Sequence, residues 1–382
     1  MDFNLTVEQQ LLGDTVQRFL AKEYGFEARR KIVKSEAGWS RDSWAKLAEM
    51  GLLALQVPEQ HGGMAPASIE TLLTMGAFGK AMLVEPYLES AILATVLLRE
   101  LGSRAQQDQL FPALIAGEKI AVPAHGEHGA RYELSRVATR ATAEKDGFVL
   151  DGRKAVVSLA QAADILLVSA RTGGEVDAEQ GISLFLVDRG APGVALEDYP
   201  TLDGRRGADV VLSGVRVPRQ RLLGPEGGAF PGLQAAWEAG ITALCAEAVG
   251  ALQAIFEATV EYAKTRKQFG QPIGKFQALQ HRMADMLIQV EQARSMSYLA
   301  AMRCGDPDPG VRRSAISAAK VLVGQACRRV GQEAIQMHGG MGMTDELNVS
   351  HWFKRLVVIE FSLGDTEHHL ETYARGLSAQ AR

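Results

Sequence analysis

The sequence predicts an α+β fold in three successive parts: an all-α domain over residues 1–118, a β-barrel or sandwich domain over 119–228, and a C-terminal four-helix bundle over 229–382. Three observations carry this. Apolar residues recur at helical spacing up to about Glu118. From Lys119 short β-branched runs alternate with turn dipeptides. From Pro231 onward helical periodicity returns and is sustained.

The first helix is marked by Thr6 with Gln9 three residues on, the reciprocal pairing of a capping box, followed by Val7, Leu11, Val16, Phe19 and Leu20. Residues 42–50 and 89–101 repeat the helical pattern, each followed by a glycine, Gly51 and Gly102, where helices commonly end in a left-handed residue. In the middle part Phe148-Val149-Leu150 lies between the turn dipeptides Asp146-Gly147 and Asp151-Gly152, and residues 165–168, 182–187 and 209–212 follow as further antiparallel strands. Pro218 and Gly224-Pro225-Glu226-Gly227-Gly228 end the β part. Leu233, Trp237, Leu244, Ala248, Leu252, Phe256 and Val260 then form one stripe, and three more long helical stretches over 276–304, 311–337 and 348–374 complete a bundle.

Composition excludes several classes. With 382 residues, 47% hydrophobic and 23% charged, the chain matches an ordinary globular protein, not a disordered one. A formal net charge of −4 with no block of like charges argues against a nucleic-acid-binding surface or an acidic tail. Cys245, Cys304 and Cys327 sit in apolar helical patterns without C-x-x-C spacing, against both a disulfide framework and a zinc site, so a reducing cytoplasm is the expected compartment. Met1-Asp2-Phe3-Asn4 lacks the basic start and apolar run of a secretory leader, and no long apolar run predicts a membrane span.

Among nucleotide motifs, Gly270-Gln-Pro-Ile-Gly274-Lys275 is one residue too short for a Walker A loop and is followed by Phe276, and no G-x-G-x-x-G follows a strand. The segment Tyr262-Ala-Lys-Thr-Arg266-Lys-Gln268-Phe269-Gly270-Gln-Pro-Ile273-Gly-Lys-Phe276-Gln277 offers instead a guanidinium with fixed donors for a phosphate or adenine, and an aromatic ring as an apolar wall. Gln336-Met-His-Gly339-Gly340-Met-Gly342 adds glycines that let backbone amides approach an anion. These two segments, with the helix–sheet–helix order of the whole chain, resemble the acyl-CoA dehydrogenase family. The resemblance implies FAD as cofactor, and no metal is expected because His368 and His369 lack partners at ligand spacing. It also implies that Arg266 and Phe269 hold the ADP half of a neighbouring chain's FAD, with Gln268, Ile273, Phe276, Gln277, Gln336, Gly339, Gly340, Ser158 and Thr366 as further cofactor-binding positions.

The same resemblance exposes departures. Where the family shows T-E-P-G-x-G-S-D and W-I-T-N around the isoalloxazine ring, this chain reads Gly126-Glu127-His128-Gly129-Ala130-Arg131-Tyr132 and Val156-Val157-Ser158-Leu159. Only Ser158 keeps a hydroxyl, and Arg131-Tyr132 put bulk where pantetheine passes. Where the family carries its catalytic glutamate in Tyr-Glu-Gly-Thr, this chain reads Leu363-Gly364-Asp365-Thr366; at the family's other base position stands Gly240, followed by Ile241 in place of a CoA-binding arginine. Asp365 is the fallback carboxylate, although a one-residue shift turns a side chain by about 100° on a helix, and its other reading is a helix cap. Glu238, Glu247 and Glu360 read as surface or ion-paired groups, and His368 and His369 as structural.

The residues that serve a neighbour's FAD survive, while those serving this chain's own flavin ring and substrate are eroded. The expected role is therefore the non-basic subunit of a heteromeric acyl-CoA dehydrogenase, a heterotetramer resembling the small-subunit type of pimeloyl-CoA dehydrogenases. Its partners would be a paralogous large subunit that carries the glutamate, the acyl-CoA substrate, and electron-transferring flavoprotein. The two alternatives are a homo-oligomeric flavoenzyme using a displaced carboxylate such as Asp365, and a non-catalytic scaffold on the same fold.

Overall fold

The protein is described by a computed structural model over residues 5–65 and 67–380; the reading of Met1-Asp2-Phe3-Asn4 lies outside the described residues. It folds as two compact units. One gathers the chain up to Lys31, Ser68–Leu83 and the chain from Ile241; the other gathers Ile32–Ala67 and Val84–Gly240. The N-terminal helices are thus divided between the units.

In the first unit, α1 (Val7–Glu23) opens with the predicted capping box: the Gln9 amide donates to Thr6 Oγ1 at 3.2 Å and the Thr6 amide to Gln9 Oε1 at 3.0 Å. α4 (Ser68–Ala81) packs on it, and the unit also holds the greater part of α7 (Phe230–Thr265), α8 (Gln277–Arg303) and α9 (Pro309–His338). Leu244, Ala248 and Leu252 of the α7 stripe are fully buried, each leucine contributing about 1.5–3 kcal/mol. By length and composition α7 could cross a membrane, contrary to the expectation of no long apolar run, and 72% of its most apolar 18-residue stretch is buried within the protein.

Helices α4 and α7 meet backbone to backbone. A Cβ on Gly79 would lie 1.8 Å from the Glu247 carbonyl oxygen, and one on Gly250 would lie 1.8 Å from that of Gly76. The predicted fourth bundle helix is in fact two, α10 (Asn348–Phe361) and α11 (Thr366–Gln380), because Leu363 at φ +54° and Gly364 at φ +108° leave helical space. Glu247 and Arg355 tie α7 to α10 through a buried bidentate ion pair at 2.6 and 2.8 Å.

In the second unit, α3 (Arg41–Glu49) ends before Gly51, which is left-handed as expected. The predicted helix over 89–101 begins instead as a π-helix, Tyr87–Ala94, and continues as α5 (Thr95–Leu101). Gly102 follows in an extended conformation, and the glycine is required by space, since a Cβ there would lie 2.4 Å from the Leu98 carbonyl oxygen. After α6 (Arg104–Ile115) come β1 (Ala121–Ala124), β2 (Arg140–Glu144), β3 (Gly147–Ser158), β4 (Ile165–Arg171), β5 (Ile182–Asp188), β6 (Val194–Pro200), β7 (Arg206–Pro218) and β8 (Leu222–Leu223).

These form one eight-stranded sheet in the order β6-β7-β3-β2-β4-β5-β8, with β1 on β4. The β1–β4 pair is parallel, so the sheet is mixed and not purely antiparallel as the turn signals suggested. Strand β4 is buried along its whole length, which explains the apolar run Ile165–Val168, and its buried polar residues Ser169 and Arg171 are hydrogen-bonded. The long β3–β7 pair shifts register between Lys154 and Val157, a bulge that turns Val156 outward.

Candidate active site

The segment after α7 is a short hairpin. Lys267–Gln268 pairs with Gln271–Pro272, and Phe269 and Gly270 form the two-residue turn with φ values of +53° and +79°, the pattern of a type I′ turn. A phenylalanine in left-handed conformation is strained, and this one is 91% exposed, its ring 6.1 Å from that of Phe276 and nearly perpendicular to it. Arg266, Gln268 and Gln277 are exposed, while Ile273 and Phe276 are half-buried; the Ile273 amide donates to the Arg266 carbonyl at 2.8 Å.

The Gly-Gly turn lies against the same helix end. Gln336 is exposed near the end of α9, Gly339 ends the helix at φ +59°, and a Cβ at Gly339 or Gly340 would meet nothing within 4 Å. Tyr262 joins the two segments: its ring stacks on that of His338 at 4.3 Å, and its hydroxyl donates to the His338 carbonyl at 3.4 Å. This link was missed in the sequence. Both residues flank the motifs, yet nothing in their local pattern signals that they stack.

The loop between α10 and α11 is fully engaged. Asp365 caps α11, its Oδ1 accepting the His368 amide at 2.8 Å. Lys320, buried in α9, donates to the carbonyls of Ile359, Glu360 and Gly364 at 3.0, 2.8 and 2.8 Å. Thr366 donates its hydroxyl to Glu360 Oε1 at 3.0 Å, and Arg328 donates to the same oxygen at 3.2 Å. A Cβ at Gly364 would lie 2.4 Å from Nε2 of His369 and 2.8 Å from the ring of His368.

His369 does not replace the missing base. Its Nε2 lies 3.0 Å from the Leu363 carbonyl, which can only accept, so that nitrogen carries the proton and Nδ1 is left facing Ser317 Oγ at 3.4 Å. Of the other carboxylates considered, Glu247 is spent on Arg355, Glu360 on Thr366 and Arg328, and Glu238 is buried. Gly240 and Ile241 are buried residues of α7.

In the second unit the motif strands carry their own network. Lys154 is fully buried and donates to Glu127 at 2.6 Å, to Ser169 at 3.0 Å and to the His125 carbonyl at 3.2 Å. Glu127 also accepts the Ala138 and Thr139 amides at 2.6 and 3.0 Å. Burial pushes the Lys154 ammonium down to about 8. Val156, where the family has tryptophan, is 64% exposed at φ +52°, its amide donating to Asp209 at 3.1 Å. Arg131 is likewise left-handed, at φ +48°, and exposed. Ser158 donates to Glu89 at 2.6 Å, and Glu89 is ion-paired with Arg205 at 3.0 Å.

Two buried histidines set an acid limit on stability. Burial, with Lys154 beside it, pushes His125 down to about 3; burial, with Lys320 beside it, does the same to His369. Above about pH 6.5 both are neutral folded or unfolded. Below it the unfolded chain takes up protons that the folded chain refuses, so stability falls as pH drops from about 6.5 toward 3. At 1.4 kcal/mol per pH unit for each group, moving to pH 5 is expected to cost about 2 kcal/mol per histidine. Urea denaturation at pH 7 and pH 5 measures this, and equal stability at the two values would contradict it.

These residues divide in their fit to FAD. The exposed guanidinium of Arg266, the Phe269 ring and the open backbone at Gly339 and Gly340 fit an adenine-nucleotide half. The ring-side residues fit less well: Val156 offers no aromatic side chain of its own, and the retained hydroxyl of Ser158 is already bonded to Glu89.

Comparison with known proteins agrees with this fold. Residues 6–118 match the family model for the acyl-CoA dehydrogenase N-terminal domain, 124–215 that for the middle domain and 235–378 that for the C-terminal domain. The probable acyl-CoA dehydrogenase YngJ of Bacillus subtilis (strain 168) is 31% identical over 99% of this chain and 100% of its own length. The ChsE4-ChsE5 complex from Mycobacterium tuberculosis contains a chain 30% identical to this one, with a TM-score of 0.88 and 99% of each chain covered. The FAD complex of PigA is 27% identical, with a TM-score of 0.90 over 100% of both chains. With three consecutive domain matches and a relative alike from end to end, the chain belongs to the acyl-CoA dehydrogenase family, oxidoreductases acting on the CH–CH bond of an acyl-CoA.

Proposed function

We propose that this chain is the non-basic subunit of a heteromeric acyl-CoA dehydrogenase and that its nucleotide-side residues complete the FAD site of a paralogous partner. One contrast carries the reading. The residues suited to the ADP half of FAD stand exposed on a strained hairpin and an open glycine turn, while the loop that would hold the base has glycine at 364 with the carboxylates of Asp365 and Glu360 engaged. The likeness to a chain of the ChsE4-ChsE5 complex supports a paired assembly.

The reaction class is α,β-dehydrogenation of an acyl-CoA to the trans-2-enoyl-CoA, for which FAD, when bound, supplies the hydride acceptor. Arg266 would donate to phosphate or adenine, Phe269 would wall the nucleotide from water, and the amides around Gly339 and Gly340 would approach it closely. The carboxylate that removes the α-proton would come from the partner, with electron-transferring flavoprotein as the electron acceptor and the cytoplasm as the compartment. Purified alone, this chain is expected to oxidise no acyl-CoA; copurified with a co-encoded paralogue, it is expected to form an active complex. Turnover by the lone chain would contradict the proposal.

A further inference from the structure

We infer that Ser158 no longer serves a flavin ring, and that Glu89, locked by Arg205, has taken its hydroxyl and closed this chain's own ring-side position. The inference rests on the heteromer reading and deepens it, because it explains why the chain would lend a nucleotide site while holding no ring of its own.

Three features of the second unit support it. First, the Ser158–Glu89 hydrogen bond is 2.6 Å long, in the range of a charge-assisted bond to a carboxylate, and a hydroxyl has a single proton to give. To serve a flavin as donor, Ser158 would have to abandon that carboxylate. Second, Glu89 is not free to swing away: its other oxygen accepts from Arg205 at 3.0 Å, and the side chains of Glu89 and Arg205 are 5% and 8% exposed. Arg205 Nε is buried with no acceptor among the described residues, so Glu89 is the guanidinium's principal anchor, and a pair at this depth resists losing one member. Third, Glu89 lies within the eight-residue π-helix, whose wider turns change the direction in which side chains leave the axis, a device often found at functional positions.

The same exchange of roles occurs independently in the first unit. Thr366, the other hydroxyl the resemblance assigned to the cofactor, donates to the buried Glu360, which Arg328 holds in turn. In both places a hydroxyl, a buried glutamate and an arginine form one closed relay.

The test is Ser158→Ala in the heteromer, with FAD per chain, the visible absorption of bound flavin and the melting temperature as readouts. An unchanged flavin count, an unchanged spectrum and a lowered melting temperature are expected, since the hydroxyl acts on Glu89 alone. Glu89→Gln, which keeps an acceptor for Ser158 but discharges the partner of Arg205, should behave likewise. Loss of half or more of the FAD, a shifted visible band, or an unaltered melting temperature in Ser158→Ala would overturn the inference. The two readings fail separately: one FAD on every wild-type chain removes the heteromer reading, whereas one FAD per two unlike chains with a spectral change in Ser158→Ala removes this inference alone.

Discussion

Gly364→Glu is expected to give a less stable chain with no dehydrogenase activity of its own, although it places a glutamate where the family carries its base. The backbone at this position has φ +108°, which a side chain strains to adopt, and the first added atom would lie 2.4 Å from the imidazole of His369. That imidazole cannot easily retreat. It is buried, bonded to the Leu363 carbonyl at 3.0 Å, and the Gly364 carbonyl is itself pinned by Lys320 at 2.8 Å. Backbone strain of about 1–3 kcal/mol and overpacking of about 1–3 kcal/mol together lower stability by roughly 2–6 kcal/mol. Equilibrium denaturation and an acyl-CoA oxidation assay check both parts. A variant as stable as the wild type, or active alone, would show that the loop is an eroded catalytic loop and not a rebuilt one.

The second large effect lies on the hairpin. Arg266→Ala in this chain is expected to weaken FAD binding by the heteromer about 10- to 100-fold, the range of one or two charge-assisted hydrogen bonds, while leaving the chain's stability nearly unchanged because the side chain is exposed. Phe269→Gly makes a sharper case. Glycine adopts φ +53° without strain, so the lone chain should be as stable as the wild type or up to about 1 kcal/mol more stable, while FAD retention by the heteromer falls. A residue 91% exposed in a costly conformation is explained if it acts on something outside its own chain. Reduced stability together with unchanged FAD retention in Phe269→Gly would mean the ring serves only its own hairpin.

Much of this was legible in the sequence where the controlling interaction is local. The Thr6–Gln9 box and the turn at Asp146-Gly147 each announce themselves within a few residues, because capping and turn geometry depend on near neighbours, whereas Asp151-Gly152 is no turn but a register shift inside β3. The cap at Asp365 also has a local signal, an aspartate just before a helical stretch, and its capping reading holds, although the periodicity runs 348–374 together as one helix. The rest depends on partners distant in the chain. Tyr262 stacks on His338 and Ser158 bonds Glu89 across long sequence separations, and the parallel seat of β1 on β4 has no turn of its own to reveal it. The π-helix at Tyr87–Ala94 carries the same apolar spacing that suggested an ordinary helix.

The central claim, that this chain lends a nucleotide site and does not run a complete flavin site of its own, is tested most directly by counting flavin. Denaturing the purified heteromer and the lone chain, then measuring released FAD against each chain's concentration, should give about one FAD per two unlike chains in the complex and almost none in the lone protein. One tightly bound FAD on every copy of the lone chain would contradict the account.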